Sequence, residues 1–195
     1  MLVYKNFIDS AKSDNIEKTL LSNNFPWFYF STIIEDQPKE CDPYIKENFC
    51  TTASIFRHSF IHKQDISGNG IDLVTPLLNK IESLFNREVV FYNCNCNLIY
   101  TDNSLLGKHS YPHVDMSYHD DVYKEADCYT GLYYVNDCDG ETLIWSDNDF
   151  KNPPSYKVMP EKNKFVYWDS KLLHSAPAAA SKIRVGVNFN FCVKK

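Results

Sequence analysis

His113-Val114-Asp115, with His174 fifty-nine residues beyond Asp115 and Arg184 ten residues beyond His174, are the residues whose types and spacing can do chemistry. Two imidazoles and one carboxylate can occupy one face of an iron(II) ion and leave the opposite face open to reactants. Such mixed nitrogen and oxygen ligation suits iron(II), manganese or cobalt better than a metal that prefers thiolates. An arginine nearby can grip the far carboxylate of an acidic co-substrate through a planar, two-pronged ion pair. Few structural roles need all four residues in this order.

The elements around these residues must bring them together. Residues i and i+2 of a strand point to one side, so His113 and Asp115 can share a ligand face while Val114 turns away. Lys164-Phe165-Val166-Tyr167-Trp168 predicts a strand leading to His174. A loop over 175–181 contains Pro177, and 183–193 alternates again as a second strand. Arg184, Gly186, Asn188 and Asn190 would share one face of it, and Ile183, Val185, Val187 and Phe189 the other. Lys182 falls on the Arg184 face and pulls toward a surface reading, while the distance from His174 favours co-substrate binding. Asn188 and Asn190 would point inward, where unpaired amides are costly, so they bond one another and the backbone or touch a polar substrate. Asn97 and Thr142 are similar candidates.

The pattern resembles the iron(II)/2-oxoglutarate dioxygenase superfamily, and within it the prolyl-4-hydroxylase-like branch of small phage and bacterial type. The matching pieces are His113-Val114-Asp115, Tyr129 to Asn136, Asp139-Gly140-Glu141-Thr142-Leu143-Ile144-Trp145, Phe165-Val166-Tyr167-Trp168-Asp169, His174 and Arg184, between about Arg87 and Phe191. Phe25 to Phe30 also looks like the opening strand of such relatives. The resemblance implies a mainly β, double-stranded β-helix (jelly-roll, cupin-like) core with N-terminal supporting helices. It implies iron(II), 2-oxoglutarate and O2 as reactants, succinate and CO2 as products, and ascorbate as a reductant. Residue by residue, it makes His113, Asp115 and His174 the metal ligands and Arg184 the partner of the 2-oxoglutarate 5-carboxylate. Tyr134 takes the place of a tyrosine that reaches the same carboxylate; Thr142 and Asn188, as inward polar positions, are the further candidate co-substrate contacts. A second tyrosine usual in relatives has no clear counterpart, since Tyr100 lies thirteen residues before His113 and Tyr111 two before. Asp115 favours hydroxylation over halogenation, and Asn190 stands where DNA-dealkylating relatives carry a second arginine.

Composition sets the frame. A chain of 195 residues with 15% aromatics suits one compact β-rich domain, with 1–86 as a supporting region and 87–195 as the catalytic core. A net charge of −5 without a basic stretch gives no support for generic nucleic-acid binding, and no apolar run approaches a membrane span. Seven cysteines read as free thiols in a reducing cytoplasm. Cys94-Asn95-Cys96 lacks a second pair at zinc spacing and reads as two strand residues on one buried face.

Helices are predicted over 14–21, capped at Ser13 or Asp14, and over 72–85, where Leu73, Leu77, Leu78, Ile81, Leu84 and Phe85 recur at helical spacing. Strands are predicted over 26–34, 51–62 and 88–100, a loop over 35–49, a turn at 67–70, and loops over 102–108 and 116–125. The second H-x-D, His119-Asp120-Asp121, falls in that last loop and reads as a solvated rim, since a loop holds ligands less well than a strand. His58 and His62 read as ordinary polar positions, and Lys108 and His109 as surface residues near the entrance. The leading function is hydroxylation of a peptidyl proline or a small metabolite. Rivals are a non-catalytic cupin-like binding module and a metal-dependent isomerase or dioxygenase that works without 2-oxoglutarate and has little use for Arg184.

Overall fold

A computed structural model describes residues 1–31, 43–50, 54–67, 69–115 and 126–195 (the side chains of 43, 45 and 46 aside). The second H-x-D, most of the expected strand beyond Phe30, the start of the expected strand at 51, Gly68 and Cys41 lie outside the described residues.

Alternating residues build two antiparallel sheets. The larger runs β1 (Leu2–Tyr4), β9 (Lys164–Asp169), β6 (Ala126–Tyr134), β11 (Arg184–Lys194), β5 (Val89–Ile99), β3 (Ile55–His62) and β2 (Phe28–Phe30), with β4 (Asp65–Ile66) paired to β3. The smaller runs β10 (Leu173–Ser175), β7 (Thr142–Trp145) and β8 (Tyr156–Val158). A hydrogen bond from Arg184 on β11 to Thr142 on β7 joins the two sheets through their inner faces. This is the double-stranded β-helix arrangement. The first 86 residues supply β1 to β4 as well as the helices.

Both long helices cover the outer face of the large sheet. In α1 (Ser10–Leu20), Ser13, Ile16 and Leu20 recur at helical spacing and are buried. In α3 (Ile71–Glu82), Val74, Leu77 and Ile81 do the same. These apolar residues join Val185, Val187, Phe189 and Phe191 of β11 and Cys94 and Cys96 of β5 in one core cluster. Cys94 and Cys96 are thus two fully buried strand residues on one face. The outer face of β11 is occupied by this packing, and its other face, carrying Arg184, Asn188 and Asn190, is left for the site.

Three expectations are corrected. The cap of α1 is Asp9, whose carboxylate accepts from the Ala11 and Lys12 amides, while Ser13 lies inside the helix and bonds the Tyr133 hydroxyl. Within the expected loop, Pro43–Asn48 forms a short helix, α2, starting on a proline whose missing N–H has no intrahelical partner to lose. His174 does not extend the strand before it. β9 ends at Asp169, whose carboxylate accepts from the Lys171 amide, and whose carbonyl accepts from the Leu172 amide. The chain turns there and enters the smaller sheet as β10.

Candidate metal centre

His113 sits on no continuous strand. Pro112 has no amide hydrogen to extend a ladder, and His113 makes a single antiparallel bridge to His174. The His113 amide donates to the His174 carbonyl and the His174 amide to the His113 carbonyl, both at 2.9 Å. This reciprocal pair places the two rings 4.5 Å apart, centroid to centroid. Each ring is then turned in the same way. His113 Nδ1 lies 3.0 Å from the Tyr111 carbonyl and His174 Nδ1 3.3 Å from the Leu172 carbonyl, each two residues back along the chain. A carbonyl only accepts, so each Nδ1 carries hydrogen and each Nε2 is left to face the Asp115 carboxylate, where it can serve as a metal ligand. The Trp168 ring packs edge-on against His174 at 5.1 Å.

Both Nε2 atoms point at Asp115, each 3.3 Å from Oδ1. Two imidazole nitrogens and a carboxylate oxygen that converge on one point need a shared cation, a proton on Nε2 or a metal ion in its place. The donor atoms of all three residues fall within 4.8 Å of one another. Donors on neighbouring octahedral positions of one ion, at ~2.1 Å from it, stand about 3 Å apart. Spacing and donor chemistry therefore fit a divalent metal. The electrostatics agree. Burial works to raise the Asp115 carboxyl, yet the imidazoles, His174 foremost, hold it well below the usual carboxylate range. Burial works to lower the His174 imidazole, and the Asp115 carboxylate lifts it above its ordinary value.

The other oxygen of Asp115 is held separately. Asn188 Nδ2 and Asn190 Nδ2 each donate to Oδ2 at 3.0 Å. Residue types alone brought both asparagines into the cavity, but not their partner. Asn188, a candidate co-substrate contact with Tyr134 and Thr142, has its amide nitrogen on the Asp115 side.

Arg184 is 3% exposed and sits at the start of β11. Lys182 is exposed and precedes the strand, so it does not share the environment of Arg184. Arg184 Nη2 donates to Thr142 Oγ1 at 2.9 Å, and its Cζ lies 5.5 Å from the centre of the Tyr134 ring. Tyr134 hydroxyl also donates to Thr142 Oγ1 at 2.9 Å. Arg184 Nε is buried without a partner, and among the described residues no carboxylate pairs with this guanidinium. Burial lowers the pKa of Arg184, and burial likewise raises that of Tyr134. Space for the guanidinium stem depends on Gly140. A Cβ there would stand 2.7 Å from Pro177 Cγ and 3.2 Å from Arg184 Cδ. In the sequence Asp139-Gly140 only opens the matching piece that ends at Trp145, and nothing there marks the close approach of 177–184.

Other residues lie apart from this centre. Tyr100 hydroxyl bonds Ser54 Oγ at 3.0 Å. His58 Nδ1 contacts the Pro26 carbonyl and its ring packs against Phe25 and Phe60. Lys108 is exposed as expected, whereas His109 is half-buried and bridges Pro177. Asn97 Oδ1 accepts from Arg57 Nε on β3. No helix among the described residues is long and apolar enough to cross a membrane.

No family model and no curated protein matches the chain. Solved structures do. A prolyl hydroxylase from Trichoplax adhaerens, in complex with a hypoxia inducible factor oxygen degradation domain peptide fragment, superposes with a TM-score of 0.63 at 15% identity, over 97% of this chain and 82% of that one. A viral collagen prolyl hydroxylase from Paramecium Bursaria Chlorella virus-1, in a 2-oxoglutarate complex, gives 0.57 at 12% identity over 98% and 95%. An oxidoreductase of the 2OG-Fe(II) oxygenase family from Burkholderia pseudomallei gives 0.61 at 10% identity over 97% and 84%. At such identities the likeness is one of fold, and the chain has the prolyl-hydroxylase-like double-stranded β-helix fold found among 2-oxoglutarate/iron(II) oxygenases.

Proposed function

We propose that this protein is an iron(II)- and 2-oxoglutarate-dependent oxygenase that hydroxylates a substrate C–H bond and releases succinate and CO2. The observation that carries this reading is one face of β11 that bears both Arg184, buried and without a carboxylate partner among the described residues, and Asn188 and Asn190, which bond the Asp115 of the His113–Asp115–His174 donor set. A metal-binding module without co-substrate has no use for such an arginine. An uncompensated buried guanidinium costs several kcal/mol, so an anion is the natural complement.

His113, Asp115 and His174 hold the metal in this reading, and iron(II), when bound, supplies activation of O2. Arg184 binds the 5-carboxylate of 2-oxoglutarate through a charge-assisted pair that is strong where water is excluded. Thr142 takes part directly. Both lone pairs of its Oγ1 are occupied, by Arg184 Nη2 and the Tyr134 hydroxyl. Its own hydroxyl hydrogen is therefore free to be donated, and a carboxylate seated on Arg184 is the acceptor we assign. Tyr134 orients that hydroxyl and walls the pocket together with Ile144, Val158, Val166 and Trp168, an apolar lining that keeps water from the ion pair. Peptidyl proline is the first substrate class to test, because two of the structures with this fold are prolyl hydroxylases; small metabolites come next. A reducing, cytoplasmic setting suits both iron(II) and the six described cysteines, none of which forms a disulfide.

The test is anaerobic titration of iron(II)-loaded protein with 2-oxoglutarate, followed by admission of air with ascorbate present. A visible charge-transfer band followed by succinate, even without substrate, supports the reading. A folded, metal-loaded protein that gives neither overturns it in favour of a non-catalytic module.

A further inference from the structure

Asp115 has two oxygens in different surroundings. Oδ1 faces the two imidazoles and Oδ2 faces two amides. A carboxylate with both oxygens free can chelate a cation through either or both. We propose that Asn188 and Asn190 act as positioning residues that clamp Oδ2 and so dedicate Asp115 to single-oxygen ligation through Oδ1. This rests on the metal-centre reading above and extends it to residues that touch neither metal nor co-substrate.

The two amides are oriented by different means. Asn190 Oδ1 accepts from Asn93 Nδ2 at 3.4 Å, and Asn93 stands directly opposite Asn190 in the β5–β11 pairing. With its oxygen engaged there, Asn190 has its nitrogen aimed at Asp115, 4% exposed and also within 3.5 Å of Thr130 Oγ1. A relay thus runs from β5 through β11 to the metal carboxylate. Asn188 lacks such a partner. Its Oδ1 is buried and unbonded. Flipping the amide would set that oxygen against the carboxylate, so the charge-assisted bond to Oδ2 fixes its orientation although one acceptor goes unsatisfied. Leaving a buried acceptor unpaired costs about 1–3 kcal/mol, and the fold accepts this at a side chain whose one hydrogen bond among the described residues is to Asp115. Alternation along β11 places both amides: residues 188 and 190 face the site while Val187, Phe189 and Phe191 anchor the strand in the core.

The geometry gives a metal-binding consequence that is independent of turnover. Metal-stripped wild type, N188A, N190A, the double variant and N93L are titrated anaerobically with cobalt(II), read from its visible d–d bands, with thermal melting of each apo protein in parallel. Partners of ligating carboxylates typically contribute about 10–100-fold to metal affinity. Each single alanine variant is expected to weaken cobalt(II) binding by about tenfold or more and to move the band as the carboxylate gains a second ligating oxygen. N93L, which reaches Asp115 only through the Asn190 amide and also releases the Lys63 amide at the far side of β5, should give a smaller loss. If the alanine variants do not fold, N188S and N190S carry the same comparison. Folded variants that melt lower but bind cobalt(II) within twofold of wild type, with an unmoved band, overturn the clamp and leave the metal centre standing. Wild type that binds no cobalt(II) overturns the metal centre itself, and the clamp with it.

Discussion

At the metal end of the site, polar groups answer one another. His113 and His174 exchange backbone hydrogen bonds, each Nδ1 has a carbonyl, and Asp115 is met by imidazoles on one oxygen and amides on the other. At the anion end, Arg184 is as deeply buried, but among the described residues it meets neutral hydroxyls rather than a carboxylate, and its Nε has no partner there. One end resembles a finished structural network that still needs a cation at its centre. The other is a buried charge whose counterion the described chain does not provide. This difference teaches that the fold organises the metal ligands by backbone pairing and leaves the anion pocket to be completed by what binds there.

Substitutions should therefore act in opposite directions on stability at the two ends. The largest effect on function is expected for His174→Ala, which removes a ligand: 2-oxoglutarate turnover falls to background and metal retention is lost, checked by succinate assay and metal analysis. Full turnover would remove His174 from the ligand set. Next comes Arg184→Met. Truncating one partner of a buried charge pair costs about 2–5 kcal/mol, so the KM for 2-oxoglutarate should rise roughly thirtyfold or more while cobalt(II) affinity holds. Replacing even a paired set of buried charges with well-packed apolar side chains is often neutral or stabilising by about 1–4 kcal/mol, and a charge without a counterion has less to lose. The ligand-free R184M protein is thus expected to melt no lower than wild type. At a hundred times the wild-type Kd, 2-oxoglutarate stabilises wild type by about 2.7 kcal/mol and should stabilise R184M by less than about 1 kcal/mol. An unchanged KM, or a clear fall in the melting temperature of the ligand-free variant, would erase the contrast between the two ends.

The same contrast explains what was legible in the sequence. β11 was readable because its alternation runs on from Arg184, and its two faces proved to be core and site as the period of two requires. α3 was readable from its apolar spacing, although it closes at Glu82. His113, Asp115 and His174 stood out as residue types and the structure brings them together, but by a route the sequence concealed. His113 bridges His174 from outside any long strand, and His174 lies in the smaller sheet after a turn over 169–172 that holds neither glycine nor proline. The partners of Asn188 and Asn190 were out of reach for a different reason. Their bonds span 73 and 75 residues, and no periodicity encodes which buried acceptor an inward amide will meet. The packing of Gly140 against Pro177 and Arg184 was hidden in the same way.

The smallest effects sharpen the account of the anion pocket, because they separate Thr142 from Tyr134. Thr142 Oγ1 is the common acceptor of Arg184 and Tyr134, and its hydrogen is the one we assign to the co-substrate. Thr142→Val keeps the shape of the side chain but strands two buried donors and removes one hydrogen bond to a charged group. Such bonds contribute about 1.5–3 kcal/mol, so the KM for 2-oxoglutarate should rise roughly tenfold or more. Tyr134→Phe removes only the hydroxyl that orients Thr142, and its ring remains beside the guanidinium. A neutral hydrogen bond contributes about 1 kcal/mol net, which corresponds to a rise of about fivefold at most. The order of the two KM values is the decisive reading. If Tyr134→Phe costs more than Thr142→Val, the tyrosine hydroxyl touches the carboxylate itself, as the resemblance implies, and Thr142 is a spacer between two donors.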